Sequence, residues 1–193
     1  MNNTAQPVTP KPAATIILLR DGNSGLEVLI LRKASGKHFA SGALVFPGGK
    51  VDAADTAFAG DIGEDRNKLS DLKIAAIREM YEECGIALVR AHGAEKLLDA
   101  SDVTAHQDTY DNAPILEMAA AVPLGLATDR LMRFAHWITP PGRPKRFDTH
   151  FFVAPAPSGQ MDPNVDGYEI VEAQWYRPQS LLNDVHAGKV KLV

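Results

Sequence analysis

Between Ser70 and Gly85 runs the pattern that most restricts how this chain folds: fifteen residues free of proline and glycine, closed by Gly85. At about 100° per residue, Ile74, Ile77, Tyr81 and Cys84 gather on one side. Glu79, Glu82 and Glu83 fall on the other, within an arc of about 100°. Ser70 is a suitable cap for a helix over residues 71–84, and Gly85 suits the position just past its end. The expectation is a helix that buries its apolar face against another layer and presents three carboxylates away from it.

The other layer is a sheet. Residues 13–20 and 26–33 are apolar, strand-like runs separated by Asp21-Gly22-Asn23-Ser24-Gly25, which predicts a hairpin. A short strand over 43–46 stops at Pro47-Gly48-Gly49, and residues 51–69 show too little periodicity for anything but a loop. Strands are expected at 86–90, 131–138, 146–154 and 169–176, and helices at 95–99, 113–121 and 178–186; residues 189–193 still alternate. Mixed strands around a few helices make an α/β or α+β layered fold. At 193 residues this is one domain, residues 13–193, behind a polar, proline-rich tail over residues 1–12.

Several functional classes are excluded early. The net charge of −4 argues against a general nucleic-acid coat. No apolar run approaches a bilayer span, and the first twelve residues lack the charged start and apolar core of a signal peptide, so a soluble, cytoplasmic protein without a membrane partner is expected. Cys84 has no partner for a disulfide and lies on the apolar side of the helix, where burial is its expected fate. The six histidines show no paired ligand spacing, so no zinc site is expected. Trp137, Phe147, Phe151, Phe152, Trp175 and Tyr176 sit in strand-like runs and read as core.

The acidic face has a cost. Glu79 and Glu83 stand at i, i+4 and repel by a few tenths of a kcal/mol in an isolated helix, and Arg78, four residues before Glu82, is the only same-helix countercharge within a turn of them. A divalent cation turns this repulsion into a binding site. Clustered oxygen ligands suit Mg²⁺ or Mn²⁺ shared with substrate phosphates.

Taken with the glycines upstream, the segment Arg78-Glu79-Met80-Tyr81-Glu82-Glu83-Cys84-Gly85-Ile86 resembles the second half of the Nudix hydrolase signature, with Gly49 as its leading glycine after Val45-Phe46-Pro47-Gly48. The resemblance covers residues 13–187 and implies a Nudix-like α/β/α sandwich with a mixed sheet between helices. Arg78 follows Gly49 by 29 positions, however, where the family pattern has 14, and the acidic position after the glycine is Asp55 rather than Glu. The excess falls within residues 51–69, read as a tolerated surface loop with a lid or a homodimer contact as alternatives, and no role is carried onto Asp55. An interrupted box, together with Leu31-Arg32-Lys33 and Arg146-Phe147-Asp148-Thr149-His150-Phe151-Phe152, is similar to the branch that hydrolyses coenzyme A and acyl-CoA.

The resemblance implies an enzyme that cleaves the pyrophosphate of a small nucleoside diphosphate derivative with Mg²⁺ or Mn²⁺. Coenzyme A or acyl-CoA is the favoured substrate. ADP-ribose, NADH or a dinucleoside polyphosphate, or a catalytically silent nucleotide-binding domain, are the alternatives. By motif position Glu79, Glu82, Glu83 and Gly49 hold metal, and Arg78 holds the glutamates in place. The general base stays open between a helix glutamate and the distant Glu117, Glu169 and Glu172. Basic groups for the substrate stand at Arg32, Lys33, Lys37, Lys50, Arg143, Lys145 and Arg146. Arg32 and Arg146 are preferred for a phosphate because strand ends hold a side chain firmly, with Gly48 and Lys50 beside it.

Overall fold

The computed structural model describes residues 8–36, 41–61, 69–122, 124–165 and 167–193. Strands β1 (Lys11–Gly22) and β2 (Gly25–Lys33) form the expected hairpin, with Gly22 paired to Gly25 around a two-residue turn. Their side chains alternate between two buried faces. Ala14, Ile16, Leu18, Leu29 and Leu31 enter the larger core. Val28 and Ile30 enter a smaller one, with Ile17 and Leu19 packed against it. A strand covered on both faces reads as a continuous apolar run, which is how residues 13–19 and 28–31 read.

The short strands β3 (Leu44–Val45) and β4 (Gly48–Lys50) pair with β2 and β1 respectively. Strands β7 (Met132–Ile138), β8 (Phe147–Pro155) and β9 (Ile170–Tyr176) complete a seven-stranded sheet whose spine runs β3-β2-β1-β8-β7. The β1–β8 pairing is parallel and the rest antiparallel, so the sheet is mixed. Because β1 meets β2 at its far end and β4 at its near end on the same edge, the hairpin splays, and β3 and β4 fill the wedge. A second, two-stranded sheet joins β5 (Val89–Ala91) to β6 (Leu124–Leu126).

Helices cover both faces. α1 (Ala53–Asp61), α2 (Ser70–Cys84), α3 (Ala100–Thr109) and α4 (Ile115–Ala121) contribute to the larger core. α5 (Pro178–His186) sets Leu181 into the smaller one. This is the mixed α/β sandwich the sequence implied. Among the described residues no helix is long and apolar enough to cross a membrane.

Five local expectations need correction. Lys11 and Pro12 belong to β1 rather than to a loose tail; Pro12 has no N–H, yet its carbonyl accepts from Val51 N at 3.0 Å. The stretch read as loop carries α1, which only Asp55 and Ala59 anchor by burial, too sparse a pattern to show as periodicity; residues 62–68 lie outside the described residues. Leu69, in the left-handed region at φ 62, occupies the cap position of α2, and Ser70 is buried inside the first turn. Residues 95–99 are not helical: Asp99 caps α3, its Oδ1 accepting from Asp102 N at 3.1 Å in a reciprocal capping box. Trp137, read as core, is exposed on the edge strand β7.

The end of α2 agrees with the sequence. Gly85 sits at φ 72 and donates its N–H to Tyr81 O at 2.8 Å, while a Cβ there would lie 3.3 Å from Asn164 O. Gly85→Ala is expected to lower the free energy of unfolding by about 1–2 kcal/mol, the cost of forcing an L side chain into this conformation. A urea midpoint that falls with an unchanged slope is the result to look for; an unmoved midpoint overturns it.

Candidate active site

Helix α2 lies against β4, and one guanidinium organises what lies between them. Arg78 donates Nε to Asp55 Oδ1 at 2.9 Å and Nη2 to Asp55 Oδ2 at 3.0 Å, a bidentate fork. Its Nη1 reaches Glu79 Oε1 at 3.0 Å and Glu82 Oε2 at 3.1 Å, and Nη2 also meets the Lys50 carbonyl at 3.0 Å. Asp55 is wholly buried and Arg78 nearly so. Burial alone would lower the pKa of Arg78, but the Asp55 hydrogen bond and the charges of Glu79, Asp55 and Glu82 outweigh it and hold the guanidinium charged.

The carboxylates are unequal. Glu83 is buried and accepts from Gly48 N at 2.9 Å. Burial pushes its carboxyl up to about 8, with Glu79 and Glu169 adding to the shift and the Gly48 N–H and Lys33 opposing it. Burial also raises Glu79, against the attraction of Arg78. Glu82 is the most exposed of the three. Gly49 packs directly on Glu79: a Cβ there would lie 2.2 Å from the carboxylate, so any other residue displaces it.

A cavity of about 530 Å³ opens in the wedge between β1 and β2. Glu79, Glu83, Gly48 and Gly49 form one wall, Lys33, Lys50 and Lys145 bring positive charge, and Phe46, Phe147 and Phe151 supply apolar surface. Glu82 is not part of the wall and joins the cluster through Arg78. Lys33 Nζ lies 2.5 Å from Glu169 Oε1, and Glu169 also lines the cavity.

Other residues singled out in the sequence lie elsewhere. Arg32 pairs with Glu172 at 2.6 Å and does not line the cavity. Arg146 donates to Thr139 O at 2.8 Å and Val8 O at 2.7 Å, tying the β7–β8 loop to the segment just before β1. Glu117 is exposed on α4, Arg143 lies outside the cavity wall, and Lys37 lies outside the described residues. Cys84 is buried, its thiol pushed up to about 12 chiefly by desolvation. Asp55 is the residue that sequence reasoning passed over. Its signal was the five-residue spacing from Gly49, masked because Arg78 stands 23 positions further on.

Two glutamates, Glu79 and Glu82, share one arginine, Glu83 takes a backbone N–H, and burial holds Glu79 and Glu83 above the ordinary carboxylate range. This all-oxygen donor set, under-neutralised and partly desolvated, fits a hard divalent cation.

The fold and this cluster define a Nudix hydrolase. Within that class the chain belongs to the NUDT19 Nudix domain family, whose profile matches residues 57–193, well over half of it. Members of the class are generally pyrophosphohydrolases and typically use divalent metals. A Caenorhabditis elegans protein whose name places it among nudix hydrolases is 29% identical over 94% of this chain and 56% of its own length. The acyl-coenzyme A diphosphatase NUDT19 of Gallus gallus is 26% identical over 89% of this chain and 59% of its own. The chain thus spans a little over half the length of these curated relatives. A crystal structure of a NUDIX hydrolase from Alicyclobacillus acidocaldarius superimposes with a TM-score of 0.79 at 30% identity, covering 96% of this chain and 87% of that one.

Two outcomes follow from this geometry. Asp55→Asn leaves a buried guanidinium short of its main countercharge, and removing one partner of such a pair costs about 3–5 kcal/mol. A large drop in the denaturation midpoint is expected, and a shift within error overturns the organising role of the pair. Second, a carboxyl held neutral in the fold makes the native state bind more protons than the unfolded chain between the ordinary 4.5 and about 8. In chelator, this contribution to stability is fully present below that range and is lost as pH rises through about 8. Glu83→Gln should flatten the decline in melting temperature between pH 5 and 8.5; parallel curves for the two proteins refute it.

Proposed function

We propose that this chain hydrolyses the pyrophosphate bridge of a nucleoside diphosphate derivative, with coenzyme A or an acyl-CoA as substrate. The observation that carries the reading is the carboxylate cluster forming one wall of a cavity whose other walls are lysine and aromatic. Lysines suit phosphates, and the apolar walls suit a long uncharged arm. The Gallus gallus relative, whose name states acyl-coenzyme A diphosphatase activity, supports the same substrate class.

Glu79, Glu82 and Glu83 with the main chain of Gly49 would hold Mg²⁺ or Mn²⁺, which when bound neutralises the bridge and acidifies the attacking water. Arg78 positions Glu79 and Glu82 without touching substrate, its donors being taken up by protein oxygens. Gly48 and Gly49 allow close approach of the substrate to the backbone. Lys50 and Lys145 on the cavity wall bind the phosphate oxygens, because Arg32 and Arg146 are engaged elsewhere and Lys33 is paired with Glu169. Glu169, as the distant glutamate on the cavity wall, takes a proton from water in this reading. The P–O–P bond breaks, water supplies one oxygen, and two phosphate monoesters leave.

With Mg²⁺ or Mn²⁺, purified protein is expected to split coenzyme A into two phosphate-bearing halves faster than it turns over ADP-ribose, NADH or a dinucleoside polyphosphate. A preference for any of the latter overturns the substrate, and no turnover across the panel overturns the enzyme. Glu82→Gln, at an exposed position, should keep the melting temperature but lower kcat by more than about 100-fold, the upper end for losing even an outer partner of a metal site.

A further inference from the structure

On the strand that lines the cavity, the side chains facing the other way make a second cluster. Phe147, Thr149 and Phe151 of β8 line the cavity, whereas Asp148 and His150 alternate with them and point to the opposite face. There His150 is paired across the ladder with His136 of β7. The two imidazoles stack with centroids 4.1 Å apart and planes 19° from parallel. His136 Nε2 is hydrogen-bonded to Asp148 Oδ1, and His150 Nε2 stands 4.0 Å from the same oxygen, too far for a hydrogen bond. Among the described residues, the buried His150 Nδ1 has no hydrogen-bond partner. One ligand atom from each residue lies within 4.8 Å of the others.

We infer that His136, Asp148 and His150 form a metal site separate from the carboxylate cluster, taking a borderline divalent transition ion of the Zn²⁺ class. Two imidazoles and one carboxylate are the donors such ions select, in contrast to the oxygen-only set beside Gly49. Ligands at about 2.0–2.1 Å in tetrahedral array stand roughly 3.4 Å apart. His136 and Asp148 are half-exposed and free to close the small remaining gap, while His150 is held more firmly. Without an ion, His150 Nδ1 has no hydrogen bond among the described residues to compensate its burial, and Nε2 stands too far from Asp148 to form one. The sequence hid this set because its members meet across strands, not along a helix. Three protein ligands leave one coordination position open at the surface, and the ion would clamp edge strand β7 to β8.

The site is tested with Co²⁺ as the probe, titrated into the intact protein in millimolar Mg²⁺ so that oxygen-only sites are filled. One equivalent is expected to bind with the intense visible bands of a four- or five-coordinate, nitrogen-ligated ion. His136→Ala and Asp148→Asn, both at half-exposed positions, should each weaken that binding at least tenfold while melting as the wild type does without metal. Zn²⁺ should raise the melting temperature of the wild type but not of His136→Ala. Glu82→Gln should leave the bands unchanged. Absence of the bands in the wild type, their undiminished persistence in His136→Ala or Asp148→Asn, or their loss in Glu82→Gln overturns the inference.

Discussion

The fork between Arg78 and Asp55 ties α2 to α1 and, through the Lys50 carbonyl, to β4. A buried ion pair is an expensive device if stability is the only aim, because desolvation of both charges offsets their attraction. What it secures here is direction. With Nε and Nη2 committed to Asp55, Nη1 is left facing Glu79 and Glu82, and both carboxylates take their positions from it. Lysine, a point charge on a flexible stem, would neutralise as much but fix far less. The position of the acidic cluster over Gly49 therefore depends on a residue outside the helix that carries it.

That arrangement also explains why the cluster is under-neutralised. Among the described residues Glu83 receives a backbone N–H from Gly48 but no arginine, and burial leaves it reluctant to ionise. A fully satisfied network would be more stable on its own and would have less to gain from an added cation. Leaving one buried carboxyl only partly neutralised, by a backbone N–H and the nearby charge of Lys33, costs stability near neutral pH and creates the affinity that a hard divalent ion answers. Strain of this kind concentrates where a site must bind something.

The parts of the fold legible in the sequence are those whose residues answer to one period. Residues 13–19 and 28–31 declare a doubly covered hairpin because both faces are apolar, and α2 declares itself because Ile74, Ile77 and Cys84 recur at helical spacing before Gly85. Failures arise where tertiary contact replaces pattern. Helix α1 buries only Asp55 and Ala59, so its reason for being helical is the distant Arg78 and not its own apolar stripe. At the site, Glu79, Glu82, Glu83 and Gly49 were legible because a helix and a tight strand end place them by local rules. Arg32 and Arg146 were not, since their partners Glu172 and Val8 come from remote parts of the chain. A strand end does hold an arginine firmly, as expected, but a firm hold by protein acceptors withdraws it from a ligand.

The same limit bears on β8, where adjacent residues serve opposite faces. Odd positions look into the wedge opened by the splay of β1 from β2; even positions look toward the side covered by α2. A period of two means that a one-residue slip in the β1–β8 or β7–β8 register would exchange the two sets, placing His150 in the cavity and Phe151 beside His136. Phe152, fully buried against the larger core, resists that slip, because it would have to turn outward. The irregularity in β7 between Arg133 and Ala135 then sets which β7 residue stands opposite His150. Without that extra residue the ladder from Arg133–Phe152 would continue in step and carry Ala135, not His136, across from His150. The pairing of the two imidazoles is thus a consequence of the bulge, and the apolar anchor at Phe152 is what keeps both faces of the strand in their places.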